Sequence, residues 1–252
     1  MVKLMLVGAC GKMGKVISNI VDNRGDCKVV CGVDAFGEKY SDFPIYKDFP
    51  EINENPDVII DFSHPSALKG LLKFASEKNI PAVIATTGLC EEHIEMINSA
   101  SKKIPVFFTY NMSLGVNLLA ELAKKATSVL SNDFDIEIIE AHHNQKIDAP
   151  SGTALMLADV INEELDNSYN YEFDRHSKSE KRPKKEIGLH AVRGGTIVGE
   201  HEIIFAGRDE IIKLSHSARS KEIFAVGAVN AAIYLKNQNK GIFNMSDLLS
   251  AK

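Results

Sequence analysis

Through the first half of the chain, short apolar runs alternate with amphipathic stretches, and no other feature restricts the fold so strongly. The runs cover residues 3–9, 28–34, 57–63, 82–87 and 106–110. Each is nearly continuous and rich in β-branched or aromatic side chains, as strands buried on both faces are. Between them, stretches such as 66–78 and 91–102 carry apolar residues on one helical face. This alternation predicts a parallel sheet with right-handed crossovers. The second half reads differently. A run at 134–141 leads through a polar loop to a helix bearing Ala154, Leu157, Ala158, Ile161 and Leu165 on one face, the spacing of a core stripe. Residues 166–186 are polar and charged, and a long surface loop is expected there. Its basic cluster, Lys178, Lys181, Arg182, Lys184 and Lys185, reads as a solvated face rather than an anion site. Three β-rich runs follow at 187–192, 197–205 and 210–214, with turns at Gly194-Gly195 and Gly207-Arg208-Asp209. Turns that short predict antiparallel pairing. A last helix is expected over 221–236.

With 252 residues, 44% of them hydrophobic and 25% charged, the chain can bury a full core without disulfides or a structural metal. A net charge of -5 gives no pull toward nucleic acid or anionic lipid. No apolar run is long enough to cross a bilayer, and the apolar start from Met1 to Gly8 is too short for a signal peptide. A cytoplasmic protein with neither membrane nor nucleic-acid partner is expected. Cys10, Cys27, Cys31 and Cys90 form no C-x-x-C pair. They are expected as thiols, with Cys27 and Cys31 buried on a strand, and no metal site is expected.

The segment Gly8-Ala9-Cys10-Gly11-Lys12-Met13-Gly14 follows the first run and opens the first helix. Glycines let the backbone turn sharply and approach a pyrophosphate, which the free amides of a helix start then receive. The spacing is a variant of the commoner glycine fingerprint. Its setting between strand and helix supports a dinucleotide site, and so does Asp34, 20 residues beyond Gly14, where an acid takes the ribose hydroxyls. A tight turn with a capping Asp is the alternative. Ala85-Thr86-Thr87-Gly88 and Thr109-Tyr110-Asn111-Met112-Ser113 lie at further strand ends; they can line the nicotinamide side or simply cap their loops.

The stretch Glu140-Ala141-His142-His143-Asn144-Gln145-Lys146-Ile147-Asp148-Ala149-Pro150-Ser151-Gly152-Thr153-Ala154 carries the most chemistry. Ser151 suits an N-cap, and the Gly152 and Thr153 amides at a helix start suit a carboxylate. Adjacent histidines on a strand point to opposite faces, so at most one reaches a site directly. His exchanges protons near neutral pH, and Lys146 adds a second proton source or a carboxylate clamp. A capping His beside a solvent-exposed Lys is the alternative.

Glu140 through Thr153 resembles the signature E-A-H-H-x-x-K-x-D-A-P-S-G-T of the dihydrodipicolinate reductase family. The resemblance covers nearly the whole chain, including Gly8–Gly14, Ala85–Gly88, Tyr110–Asn117, His190–Gly195, Val198–His201 and Gly241–Phe243. It implies an α/β protein with a Rossmann-like parallel-sheet dinucleotide domain, discontinuous over residues 1–113 and 222–252, and an α+β domain over 114–221 with an open mixed or antiparallel sheet. It implies NADH- or NADPH-dependent reduction of a small cyclic dicarboxylate, 4-hydroxy-tetrahydrodipicolinate, in the diaminopimelate route to lysine, by a homotetramer built on the second domain's sheet. On this resemblance His142 is the proton donor or acceptor and Lys146 the proton donor. His143, Gly152 and Thr153 bind substrate. Gly8, Ala9, Cys10, Gly11, Lys12, Met13, Asp34, Ala85, Thr86, Thr87, Thr109, Tyr110, Asn111 and Met112 bind the dinucleotide. Ala85 stands where many members have Gly, Met112 where many have Phe, and Ala35 where some have a basic residue; the last leaves the cofactor choice open.

Two other readings compete. One is a different two-domain dehydrogenase, acting on a semialdehyde or a sugar; an acylating semialdehyde enzyme needs a nucleophilic Cys in its second half, and every Cys lies at or before residue 90. A dinucleotide-sensing regulator without turnover has no need of His142 and Lys146 beside an anion pocket.

Overall fold

Successive side chains of a strand point to opposite faces, so a strand is apolar throughout only if both faces are covered. In β1 (Val2–Val7), Val2, Leu4 and Leu6 enter one hydrophobic cluster and Met5 and Val7 another. The computed structural model describes residues 1–131 and 133–251. It divides into two units, Met1–Leu114 with Glu222–Lys252, and Gly115–Lys221.

After β1 come α1 (Lys12–Asp22), β2 (Cys27–Val33), β3 (Ile45–Tyr46), β4 (Val58–Asp61), α2 (Leu68–Lys78), β5 (Ala82–Ile84), α3 (Glu91–Ser101) and β6 (Pro105–Phe108). Then follow α4 (Leu114–Leu130), β7 (Asp135–His142), α5 (Gly152–Glu163), β8 (Asn170–Glu172), β9 (Glu186–Arg193), β10 (Gly199–Ala206) and β11 (Ile211–Ala218). The chain finishes with α6 (Glu222–Leu235), β12 (Gly241–Phe243) and α7 (Met245–Ser250).

The first unit holds a seven-stranded sheet in the order β12-β6-β5-β4-β1-β2-β3, parallel at every pairing. Fully burying one of its large apolar side chains contributes about 1.5–3 kcal/mol, and among them are Phe107, Leu4, Met5 and Ile59. Cys27 and Cys31 are buried within β2. α6 is apolar on nearly every side because it lies against α1 and against β4, β5 and β6. The chain passes from β1 to β2 on one side, and β4 lies on the other. The loops leaving β1 and β4 therefore flank the point where the winding reverses, where ligands bind in open α/β sheets.

The second unit has a five-stranded sheet in the order β11-β10-β7-β9-β8. β10 is antiparallel to β11 and to β7, while β9 is parallel to both β7 and β8. The sheet is therefore mixed, and the hairpin that the Gly194-Gly195 turn suggests between β9 and β10 does not form. β7 lies between them instead. The turn folds over the end of β7, with the Gly194 amide donating to His142 O at 2.9 Å and the Asn144 amide donating to Gly195 O at 3.2 Å. Residues 194–198 have only one strand to cross, roughly 10 Å at twice the usual interstrand spacing. Ile136 and Ile138 of β7 are fully buried, in one cluster with Leu119, Ala123, Leu157 and Ile161 from α4 and α5.

Residues 166–186 are not the plain surface loop their polarity suggests. They contain the edge strand β8, and the Asn162 side chain grips both Tyr169 N and Tyr169 O at 3.0 Å. Arg182 leaves the solvated basic face, since its side chain is only 17% exposed. It donates to Glu137 at 2.9 Å, Asp135 at 2.8 Å, Ile136 O at 3.0 Å and Glu186 O at 2.6 Å. Lys178 pairs with Glu172, while Lys181, Lys184 and Lys185 are exposed.

Candidate active site

In the first unit the chain leaves β1 and must turn at once to begin α1. Gly8 does this at φ +77°, where an added Cβ would sit 2.6 Å from Phe62 O. At Gly14 a Cβ would sit 2.3 Å from Ala9 O, so only glycine lets α1 lie this close to its own turn. Gly11 is the N-cap of α1; no side chain caps it and no acid stands in the first turn. The positive end of the helix thus meets no competing carboxylate of its own.

Asp34 is drawn to this turn. Its Oδ2 accepts the Cys10 amide at 2.9 Å, and its Oδ1 accepts the Phe36 and Gly37 amides at 3.1 and 2.9 Å. It therefore does cap a turn. A carboxylate has about four acceptor positions, so a ribose hydroxyl can still be accommodated. Lys12 is exposed beside the turn. Lys47 donates to Gly37 O at 2.8 Å and the Lys15 ammonium lies 5.3 Å from the centre of the Tyr40 ring. Neither Lys15 nor Lys47 belongs to a motif that marks it.

At the ends of β4 and β5, Asp61 is fully buried. It accepts Thr86 Oγ1 at 2.8 Å, Ser63 Oγ at 2.5 Å and the Ser63 amide at 3.0 Å. Burial pushes its carboxyl up, against the pull of those bonds. The Thr86 hydroxyl is thereby committed to the protein, and what it offers a ligand is main chain. The same holds for Ala9 and Met112, whose side chains are buried in the core. Thr87 and Tyr110 are exposed. Thr109 Oγ1 donates to Asn111 O at 3.3 Å and Asn111 Oδ1 accepts the Ser113 amide at 2.9 Å.

In the second unit, Glu140 and His142 stand two apart on β7 and so share a face. The Glu140 side chain is 1% exposed. It takes His142 Nδ1 at 2.6 Å, the Ser151 amide at 3.0 Å, and both Arg193 Nη atoms at 2.7 and 2.8 Å. Burial works against its charge, but the bonds from Arg193, then from His142 and Ser151, outweigh it and hold the carboxyl below its ordinary range. An ionised carboxylate can only accept, so His142 carries its proton on Nδ1, leaving Nε2 for exchange. The Arg193 fork also reaches Asp148 O at 2.6 Å, tying the loop to β9. Sequence reasoning reads Glu140 and Arg193 only as parts of motifs; their pairing exists because β7 and β9 are neighbours.

Lys146 lies 2.8 Å from Asp148 and its side chain is 21% exposed. Ser151 is the N-cap of α5 and its Oγ accepts the Ala154 amide at 3.2 Å. Gly152 opens the helix, and a Cβ there would meet nothing within 4 Å. His143 is half-buried. His201 of β10, which no spacing signals, is buried with Nε2 3.1 Å from Ser151 Oγ, and its ring centre is 5.2 Å from that of His142.

Burial, and next the His142 charge, push His201 down to about 4. The unfolded chain protonates such a group near its ordinary 6.5, so between these values the unfolded state binds more protons and stability falls as pH falls. The loss expected is on the order of 3 kcal/mol at pH 4. His201→Gln should flatten that part of the pH–stability curve, measured as urea midpoints from pH 4 to 7. An unchanged slope would assign the acid sensitivity elsewhere.

Residues 2–112 match the family model described as dihydrodipicolinate reductase, N-terminus, and residues 115–249 the model described as dihydrodipicolinate reductase, C-terminus. A 4-hydroxy-tetrahydrodipicolinate reductase of Caldanaerobacter subterraneus subsp. tengcongensis is 51% identical over 99% of this chain and 98% of its own. One from Clostridium novyi is 45% identical over the full length of both. A solved dihydrodipicolinate reductase from Paenisporosarcina sp. TG-14, with dipicolinate bound, has the same fold, with a TM-score of 0.80 over 97% of each chain at 24% identity.

Proposed function

The chain belongs to the dihydrodipicolinate reductase family and is an NAD(P)H-dependent oxidoreductase that reduces 4-hydroxy-tetrahydrodipicolinate in the diaminopimelate route to lysine; we propose that its first unit holds the dinucleotide and its second the substrate. The observation that carries the second assignment is the Glu140–His142 pair beside Lys146 and the open start of α5. The first rests on the close-packed, uncapped turn at Gly8–Gly14 and on Asp34 bound to it. Gly8, Ala9, Cys10, Gly11, Lys12 and Met13 would hold the pyrophosphate, and Asp34 the ribose. Ala85, Thr86, Thr87, Thr109, Tyr110, Asn111 and Met112 would serve the nicotinamide end. The bound nicotinamide supplies hydride.

The protein's own work is to hold the substrate and to move a proton. His142, with Nδ1 fixed on Glu140, exchanges a proton at Nε2. Lys146 supplies a second proton or clamps a carboxylate. His143 and the Gly152 and Thr153 amides bind a substrate carboxylate, favoured by the positive helix end. The Paenisporosarcina relative's dipicolinate, a planar dicarboxylate, agrees with such a substrate.

Both NADH and NADPH serve, with NADH at least as good. A 2′-phosphate next to Asp34 is repelled, and Lys12, Lys47 and Lys39, the last exposed in the loop after β2, offset part of the repulsion without an Arg fork. A homotetramer is supported by β11, an edge strand of eight residues that are all exposed or half-buried and that need cover. A cytoplasmic location fits the free cysteines; no helix among the described residues is long and apolar enough to cross a membrane.

The test generates substrate in the cuvette from aspartate semialdehyde and pyruvate and follows loss of reduced-nicotinamide absorbance with each cofactor. Turnover is expected with both, and use of NADPH should fall more than use of NADH as salt rises. Dinucleotide binding with no turnover would favour a sensing regulator. A strong NADPH preference that survives moderate salt would mean that Asp34 does not face the ribose.

A further inference from the structure

The place read above as a carboxylate site already has a carboxylate in it. Asp148 Oδ1 lies 2.8 Å from Lys146 Nζ. Lys146 holds the Asp148 carboxyl below its ordinary range. One internal acid thus engages the ammonium assigned to the substrate. Its burial is not that of a structural ion pair. The Asp148 side chain is 58% exposed, whereas the structural acid of this site, Glu140, is 1% exposed. The backbone is secured separately, because Arg193 donates to Asp148 O at 2.6 Å. The side chain can therefore swing away without moving the loop, and neighbouring Ile147 is 99% exposed and holds nothing down. Gly152 leaves open space over the helix start, room for an incoming carboxylate.

We propose that Asp148 is a resident stand-in for a substrate carboxylate, held on Lys146 until substrate displaces it. This rests on the carboxylate-site reading of Lys146 and Gly152. In the resting enzyme Asp148 keeps Lys146 paired and aimed. On binding, the ligand takes over a preformed set of donors. Solvent-exposed ion pairs are weak, so displacement weakens substrate binding only modestly while denying the site to anions that bind it feebly.

The test uses the full-length protein loaded with NADH and titrated with pyridine-2,6-dicarboxylate. Asp148→Asn keeps the size and the main-chain bond to Arg193 but removes the charge. Its Kd for the dicarboxylate is expected to fall by about two- to fivefold, and KM for substrate to fall with it. Asp148→Glu, still charged, should show no such gain. In a Lys146→Ala background, Asn at position 148 should change Kd no further. Weaker or unchanged binding by Asp148→Asn overturns the proposal and makes Asp148 a positioning residue for Lys146. A gain that persists without Lys146 also overturns it, because general charge repulsion then suffices. If Lys146→Ala alone binds the dicarboxylate like wild type, the carboxylate-site reading itself fails, and that result does not involve Asp148.

Discussion

Arg193→Ala is expected to destabilise the fold by about 3 kcal/mol, because it leaves a buried carboxylate without its counter-ion. Breaking a buried pair by removing one partner costs about 3–5 kcal/mol. The low end applies because the Arg193 side chain is 19% exposed, so water reaches part of it. Glu140 would keep His142 and the Ser151 amide as donors but lose the largest influence that opposes its burial. In the wild type the depressed Glu140 contributes stability above its ordinary 4.5, and that contribution is lost as pH falls through its lower folded value. In the variant burial dominates and the sign reverses, so stability should fall as pH rises past about 4.5. Adding Glu140→Gln to Arg193→Ala removes the uncompensated charge and should restore much of the stability without restoring turnover. Urea unfolding across pH 4 to 8 reads both effects. A single variant as stable as wild type, with an unchanged pH profile, would mean that the pair contributes nothing net to the fold.

That pair also marks where sequence reading ends. Parallel strands declare themselves because burial on both faces leaves few polar positions, so β1, β2, β4, β5 and β6 are visible as nearly continuous apolar runs. β3 and β12, with two and three residues at the sheet edges, are too short to show any period. Gly194-Gly195 looks like a hairpin turn because turn chemistry is local, whereas the insertion of β7 between β9 and β10 is a long-range choice. Glu140 and Arg193 are 53 residues apart, and nothing in either segment announces the other. Asp61 reads as the polar end of a strand, and only its complete burial with Ser63 and Thr86 makes it the anchor of two loops. Polarity alone suggested a solvated loop at 166–186, but a charged side chain such as Arg182 can be a clamp when main-chain carbonyls and carboxylates surround it. The local structure from His142 to Thr153 was legible because it lies in one continuous segment: a strand end, a polar loop, an N-cap at Ser151 and a helix that Gly152 opens.

His142→Ala and Lys146→Ala are each expected to lower turnover by roughly 10²–10⁴-fold, the usual worth of a positioned acid or base, which is about 2.7–5.5 kcal/mol of barrier. The two should differ in what else they change. Lys146 is partly exposed and bonded to a mostly exposed Asp148, so its loss should leave melting nearly unchanged, raise KM and weaken dicarboxylate binding. His142 is 11% exposed and bonded to Glu140. Its loss should fall mainly on kcat, with a modest decrease in stability because one of the Glu140 donors disappears. Glu140→Gln gives a third, diagnostic case. A neutral amide no longer requires His142 to keep its proton on Nδ1, so turnover should fall even though His142 remains, and the acid limb of the pH–rate profile should move. NADH binding, measured by fluorescence, should be unchanged in all three, since Asp34 and the Gly8–Gly14 turn lie in the other unit. Near-normal turnover in both alanine variants would remove His142 and Lys146 from proton transfer. Normal turnover in Glu140→Gln alone would leave them there and show that the tautomer of His142 needs no help from the carboxylate beneath it.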